Sequence, residues 1–260
     1  MKIGAVNNFR NDISDEIRLI ASEGFGFIDL ALEPVPGNDL DTAKVKTALE
    51  DTGIEAIGHT SVFLPVVFPL YSVRRAAMDE MARYVDFFSQ IGVQYVSIHP
   101  SGNIPIIDYE ELIRANRDFI NAMAGMCEQN KITLMLETVI APFNTPDIFR
   151  VLLKDMDEVM VHLDVGHCNV GSRTDLVEGF FSEFGERIRH IHFSDNCGDR
   201  DSHLPLGHGS IDWEAVIKIL SGYGYDSTIT LEIFAEDRRF LLESKKYLEG
   251  ILSRLGTAPV

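Results

Sequence analysis

Glu137, Asp164, His192 and Glu232 each fall at the end of a short apolar run in the sequence. Brought to one point, they offer three carboxylates and one imidazole, a mixed oxygen and nitrogen set suited to Mn2+, Co2+, Mg2+ or Zn2+. Adding His59, His99, His167, Asp201 and His203 makes the set richer in nitrogen, which moves the expectation toward zinc and more than one ion. Taken singly, an Asp or His beside a turn serves as a cap or a hydrogen-bonding residue. Together, so many half-buried polar groups need pairing or a cation to offset their desolvation. Residues 190–209, HIHFSDNCGDRDSHLPLGHG, hold four of the eight histidines and three aspartates. They read as the end of a strand and the loop that follows.

Eight apolar runs must carry these residues: 2–8, 27–33, 54–60, 95–101, 132–139, 159–167, 188–196 and 227–234. Helical spacing fills the intervals, at 12–23, 39–51, 74–90, 109–128, 146–155, 174–184, 212–221 and 237–254. Thr145 before Pro146 reads as an N-cap followed by proline at the first helical position, and Asp212 as the cap before Trp213. No linker or composition break divides residues 1–260, so the pattern predicts one α/β domain, a (β/α)8 barrel. An open doubly wound sheet is the alternative, but the first strand is not followed by GxGxxG. A parallel barrel sets its active site at the C-terminal ends of its strands, where Glu33, His59, His99, Glu137, Asp164, His167, His192, Asp195 and Glu232 lie. Alternation puts His162 and His190 one layer deeper than Asp164 and His192, in the core or beneath the ligands. His208, between Gly207 and Gly209, reads as a loop residue.

The formal net charge of −17, from 40 acidic and 23 basic residues, weighs against nucleic acid unless a local basic patch exists. Arg74 with Arg75 and Arg238 with Arg239 form only isolated pairs. The start of the chain lacks the apolar run of a signal peptide, and no stretch approaches a membrane span, which predicts a cytoplasmic protein without a membrane partner. Cys127, Cys168 and Cys197 are widely spaced and predict free thiols. The segment VFLPVVFP after Ser61 is apolar for a barrel rim, as a lid over a small substrate or a contact in a homo-oligomer would be.

LET at the fifth strand, LDVGH at the sixth, HIHFSDN at the seventh, DSHLPLGHGSIDW in the next loop and LEI at the eighth resemble the xylose-isomerase-like TIM barrel superfamily. That superfamily includes sugar isomerases and epimerases and endonuclease IV. In its one-metal isomerases, the resemblance implies an ion (Mn2+ or Co2+) on Glu137, Asp164, His192 and Glu232. It also implies proton transfer by Glu137 and Glu232 through an enediolate of a sugar or sugar phosphate. His167 would contact a substrate hydroxyl, with Glu33 and Arg200 as further orienting residues. The endonuclease IV branch implies three zinc ions on His59, His99, Glu137, Asp164, His167, His192, Asp201, His203 and Glu232, and hydrolysis of abasic-site DNA. Against that branch, Val62 and Phe63 stand where a DNA-wedging pair is expected. Isomerisation or epimerisation is therefore the leading expectation, multi-zinc phosphodiester hydrolysis the second, and a non-catalytic metal- or sugar-binding barrel the third.

Overall fold

The computed structural model describes residues 1–35, 40–102, 106–171 and 175–256. Eight parallel strands close on themselves in sequence order. They are β1 (Lys2–Val6), β2 (Phe27–Ala31), β3 (Glu55–His59), β4 (Tyr95–Ile98), β5 (Thr133–Glu137), β6 (Met160–Asp164), β7 (Ile188–Phe193) and β8 (Thr228–Leu231). The helices between them are α1 (Ile13–Ser22), α2 (Thr42–Thr52), α3 (Tyr71–Gln90), α4 (Tyr109–Gln129), α5 (Pro146–Leu152), α6 (Val165–Asn169), α7 (Asp175–Phe184), α8 (Trp213–Gly222) and α9 (Arg239–Arg254). This is the (β/α)8 barrel expected from the alternation of runs. The expected helix starts at Asp39 and Thr174 lie outside the described residues.

The helices begin where short polar side chains can satisfy their first N–H groups. Thr145 accepts from the Ile148 amide and Asp212 from that of Ala215, as the sequence predicts. Asp12, Asp41 and Asp108 do the same for α1, α2 and α4. Each such cap stabilises its helix by about 1 kcal/mol. Among the described residues, no helix is long and apolar enough to cross a membrane.

Two cores result from strand alternation. Outward-facing residues such as Ile28, Leu30, Val96, Leu134, Leu136, Leu163 and Ile191 pack against the helices. The inside of the barrel starts, at its N-terminal end, with an apolar plug of Phe27, Ile57 and Met135, flanked by Tyr95 and Met160. Gly4 is needed beside this plug, because a Cβ there would come within 2.4 Å of the Phe27 ring. Above the plug the next inward residues are polar and buried: Asp29, Ser97, His162, His190 and Thr230. The rim lies above them.

One expected strand is too long. The run 159–167 leaves the sheet after Asp164 and turns into the short helix α6. Asp164 caps that helix by accepting the His167 amide hydrogen at 2.6 Å, which sets His167 beside it at the rim. Gly166 is needed in this turn, since a Cβ would meet Ser194 Oγ at 2.5 Å.

Candidate metal centre

Glu137, at the end of β5, is the hub of the rim. Its Oε2 lies 2.7 Å from His59 Nε2 and 2.7 Å from His99 Nε2, which arrive on β3 and just past β4. From below, His162 Nδ1 approaches the same oxygen at 3.1 Å. Its Oε1 is 3.5 Å from His192 Nδ1, which is also 3.2 Å from Glu232 Oε2 and 3.8 Å from Asp164 Oδ2. One ligand atom from each of Glu137, Asp164, His192 and Glu232 lies within 4.8 Å of the others, close enough to share an ion.

A second group adjoins the first through Glu232. Asp201 Oδ2 is 3.1 Å from His167 Nε2 and 2.9 Å from His203 Nε2, while His203 Nδ1 is 3.4 Å from Glu232 Oε2. His167 donates from Nδ1 to the Thr138 carbonyl at 2.7 Å, leaving Nε2 to face Asp201. His203 has a left-handed backbone, φ +43°, a conformation costly for a residue with a Cβ and common where a site fixes its side chain.

Electrostatics fit a cation. Asp164 is fully buried, and its carboxyl pKa is raised to about 7 by burial, reinforced by the negative charges of Glu232 and Glu137. Its Oδ1 serves the α6 cap, whereas Oδ2 is buried with no hydrogen-bond partner, and Asp201 Oδ1 is in the same condition. Oxygen lone pairs left without donors at the edge of two ligand groups are what a metal site requires. Burial also opposes ionisation of Glu137 and Glu232, but the surrounding imidazoles outweigh it and hold both well below the usual carboxylate range. The same attraction acts on the rings. Despite burial, Glu137 pushes His59 up to about 9, Asp164 and Asp201 push His167 up to about 10, and Glu232 and Asp201 push His203 up to about 11. Burial keeps His162 and His190 low, as neutral rings.

The rim opens into a cavity of about 300 Å3. Its floor is His59, His99, His167, His192, Asp201, His203 and Glu232, and its walls are Phe9, Val62, Phe63, Val139, Ile140 and Phe234. Val62 and Phe63 of the apolar segment thus face this cavity. Glu33 also lines it, accepting the Ser61 hydroxyl at 2.7 Å. Arg200 is exposed and is not among the lining residues, and His208 belongs to neither ligand group.

Asp195 has a different place from the rim position expected for it. Its carboxylate accepts from the amides of Asn196, Gly207 and Ile211 and from Trp213 Nε1, pinning the loop that carries Asp201 and His203. It sits one residue out of register with His192 and Ser194, so the pleat turns it away from the barrel axis. A Cβ on Gly209 would lie 2.2 Å from Asp195 Oδ1, so glycine there lets the loop close. Asp29 is the site residue that the strand-end reading passes over. It is fully buried within FIDLA, where an acidic residue in an apolar run demands a partner.

A family model described as xylose isomerase-like TIM barrel matches residues 17–253. Three uncharacterised proteins of Methanocaldococcus jannaschii match over 64%, 55% and 61% of their own lengths, so the chain spans less than two thirds of each. The first is 28% identical over 69% of this chain. A D-psicose 3-epimerase of Ruminiclostridium cellulolyticum is 25% identical over 84% of this chain and 77% of its own. Among solved structures, a D-tagatose 3-epimerase-like protein superposes with a TM-score of 0.86 over 98% of each chain at 23% identity, a likeness of fold.

Proposed function

The chain belongs to the xylose isomerase-like TIM barrel family, and from that premise we propose that it is a metal-dependent isomerase or epimerase of a small sugar. The observation that carries this reading is the convergence of Glu137, Asp164, His192 and Glu232 beneath an open, aromatic-walled cavity. Apolar walls over a polar floor suit the C–H faces and hydroxyls of a monosaccharide. Among the described residues that line the cavity there is no lysine or arginine to meet a phosphate, which favours an unphosphorylated sugar over a sugar phosphate. The D-psicose 3-epimerase relative supports the same substrate class.

Glu137, Asp164, His192 and Glu232 would hold a divalent ion, which when bound would supply Lewis-acid polarisation of a substrate carbonyl. Around that site Glu137 and Glu232, both ionised, take a carbon-bound proton and return it, and their lowered pKa values must rise as substrate displaces the neighbouring imidazoles' charge. His167 hydrogen-bonds a substrate hydroxyl and Glu33 orients the substrate from the cavity wall, while the expected orienting role of Arg200 has no support from its exposed position outside the lining. Phe9, Phe63 and Phe234 offer apolar faces to the carbon skeleton of the substrate.

A second reading is a multi-zinc phosphodiesterase like endonuclease IV. The pairing of His59 and His99 on Glu137 and the group His167, Asp201 and His203 favour it. The net charge and the apolar mouth oppose a DNA groove. Arg238 is also tied up, by Glu23 and Glu16, and Arg239 by Asp237.

Turnover in deuterated water tests the leading reading. An isomerase or epimerase places deuterium on a substrate carbon, seen by NMR across a panel of ketoses and aldoses, while a hydrolase leaves carbon unlabelled. No turnover of any sugar by the metal-loaded protein, with binding retained, would leave the non-catalytic barrel.

Metal loading separates one ion from several by its protons. Nitrogen ligands must lose a proton to bind metal, so affinity falls as pH falls through their raised metal-free pKa values. One ion on the four-residue set displaces protons directly from His192 and Asp164, with a smaller release from His59 and His203 as the ion offsets the charge of Glu137 and Glu232. Loading all nine residues also draws them from His59, His167 and His203, which carry protons at neutral pH. Calorimetry in buffers of different ionisation heat counts these protons, and elemental analysis counts the ions. We expect about one ion with the smaller release; two or three zinc ions with the larger release would favour the phosphodiesterase.

A further inference from the structure

Asp29 lies at the middle of β2, one layer below the rim, and is entirely buried. Its Oδ2 accepts from His192 Nε2 at 2.6 Å, from His190 Nε2 at 2.9 Å and from Thr230 Oγ1 at 3.1 Å. This carboxylate therefore joins β2 to β7 and β8 across the barrel. His192 has two ring nitrogens, and only one can turn toward the rim. With Nε2–H committed to Asp29, Nδ1 faces Glu137, Asp164 and Glu232. His190 has no such double duty: its other nitrogen meets Thr228 Oγ1 at 2.8 Å, away from the rim.

We infer that Asp29 is a positioning residue that fixes the ring of His192 with Nδ1 toward the rim carboxylates, so that it can serve as a metal ligand. The inference deepens the metal-centre reading and rests on it for its consequence, though the ring orientation can be measured without metal. An imidazole ligand gains orientation and basicity when its second nitrogen donates to a carboxylate, and losing such a partner weakens metal binding by about 10–100-fold. The layer also holds His192 from the side, since its ring centroid lies 4.0 Å from that of His162 and 5.7 Å from that of His59. Packing alone could thus hold the ring in place, and the test must separate packing from the hydrogen bond.

Wild type, Asp29→Ala, Asp29→Asn and His190→Ala would be titrated with Zn2+ against a chelating competitor, alongside nitrogen-15 NMR of the His192 ring. In the wild type, Nε2 carries a proton shifted downfield by its carboxylate partner, with and without zinc. Asp29→Ala loses that signature and binds one ion at least about tenfold more weakly. Asp29→Asn restores part of both, because an amide oxygen still accepts. His190→Ala removes a buried bond to the same carboxylate but leaves zinc affinity within about threefold, as expected if the effect runs through His192 and not through the stability of the layer. The inference is overturned if Asp29→Ala binds zinc like wild type, or if His190→Ala is as damaging as Asp29→Ala. If the variants fail to fold, the wild-type spectrum decides alone: a His192 ring protonated on Nδ1 in the zinc-loaded protein overturns it. A wild type that takes no zinc sinks the metal-centre reading, while the His192 signature in wild type and Asp29→Ala still decides the positioning role.

Discussion

Replacing either Glu137 or Glu232 by glutamine is expected to lower kcat at least about 10³-fold, within the range lost with a positioned acid or base. Glutamine keeps the shape of the side chain but is neither a base nor an anionic ligand. The two variants should differ in what else they lose. Glu137 accepts from His59 and His99, so Glu137→Gln leaves one buried and one half-buried ring with a weaker partner and loosens the whole rim. Glu232 sits between His192 and His203, so Glu232→Gln disturbs the junction of the two ligand groups. Metal content measured on the same samples separates loss of the ion from loss of the proton transfer. A fully metallated variant with wild-type kcat would remove that residue from the mechanism.

The second large effect is on stability. Asp195→Ala removes one carboxylate and leaves the amides of Asn196, Gly207 and Ile211 and the indole N–H of Trp213 without their acceptor. Hydrogen bonds to a charged group contribute about 1.5–3 kcal/mol each, and orphaned buried donors cost about 1–3 kcal/mol. Allowing for relaxation and entry of water, a loss of about 3 kcal/mol or more is expected, large against a total of about 5–15 kcal/mol. For a chain of this size that corresponds to a drop in Tm of roughly 6–12 °C by scanning calorimetry. The same variant should loosen the contacts of Asp201 with His167 and of His203 with Glu232, because Asp201 and His203 ride on the loop that Asp195 pins. A Tm within about 2 °C of wild type would show that the loop is held by other contacts.

Much of this architecture is written locally. A strand needs only a short apolar run and a helix only its period and cap, so the order of eight strand–helix units was legible, as were the caps at Thr145 and Asp212. The barrel rule then places Glu137, Asp164, His192 and Glu232 on one rim, and the structure brings these four together. Pleat alternation likewise put His162 and His190 a layer below, where both are fully buried.

Where the reading fell short, a side chain had two uses and only a distant partner could choose between them. Asp164 with His167 three residues on could continue a strand or cap a helix. The cap wins because Gly166 fits against Ser194, just past the end of β7. Asp195 could serve the rim or the loop, and its loop role depends on amides up to 16 residues downstream and on the Trp213 indole. Asp29 could be read only as a charge needing a partner, since the imidazole that satisfies it is 163 residues away. Sequence by itself determined the fold class and which residue types would meet at the rim, because periodicity and pleat are properties of neighbouring residues. Which nitrogen of His192 faces the rim carboxylates was decided only by the closed barrel, because a hydrogen bond is fixed by atoms a few ångströms apart, and closure alone brings β2 and β7 that near.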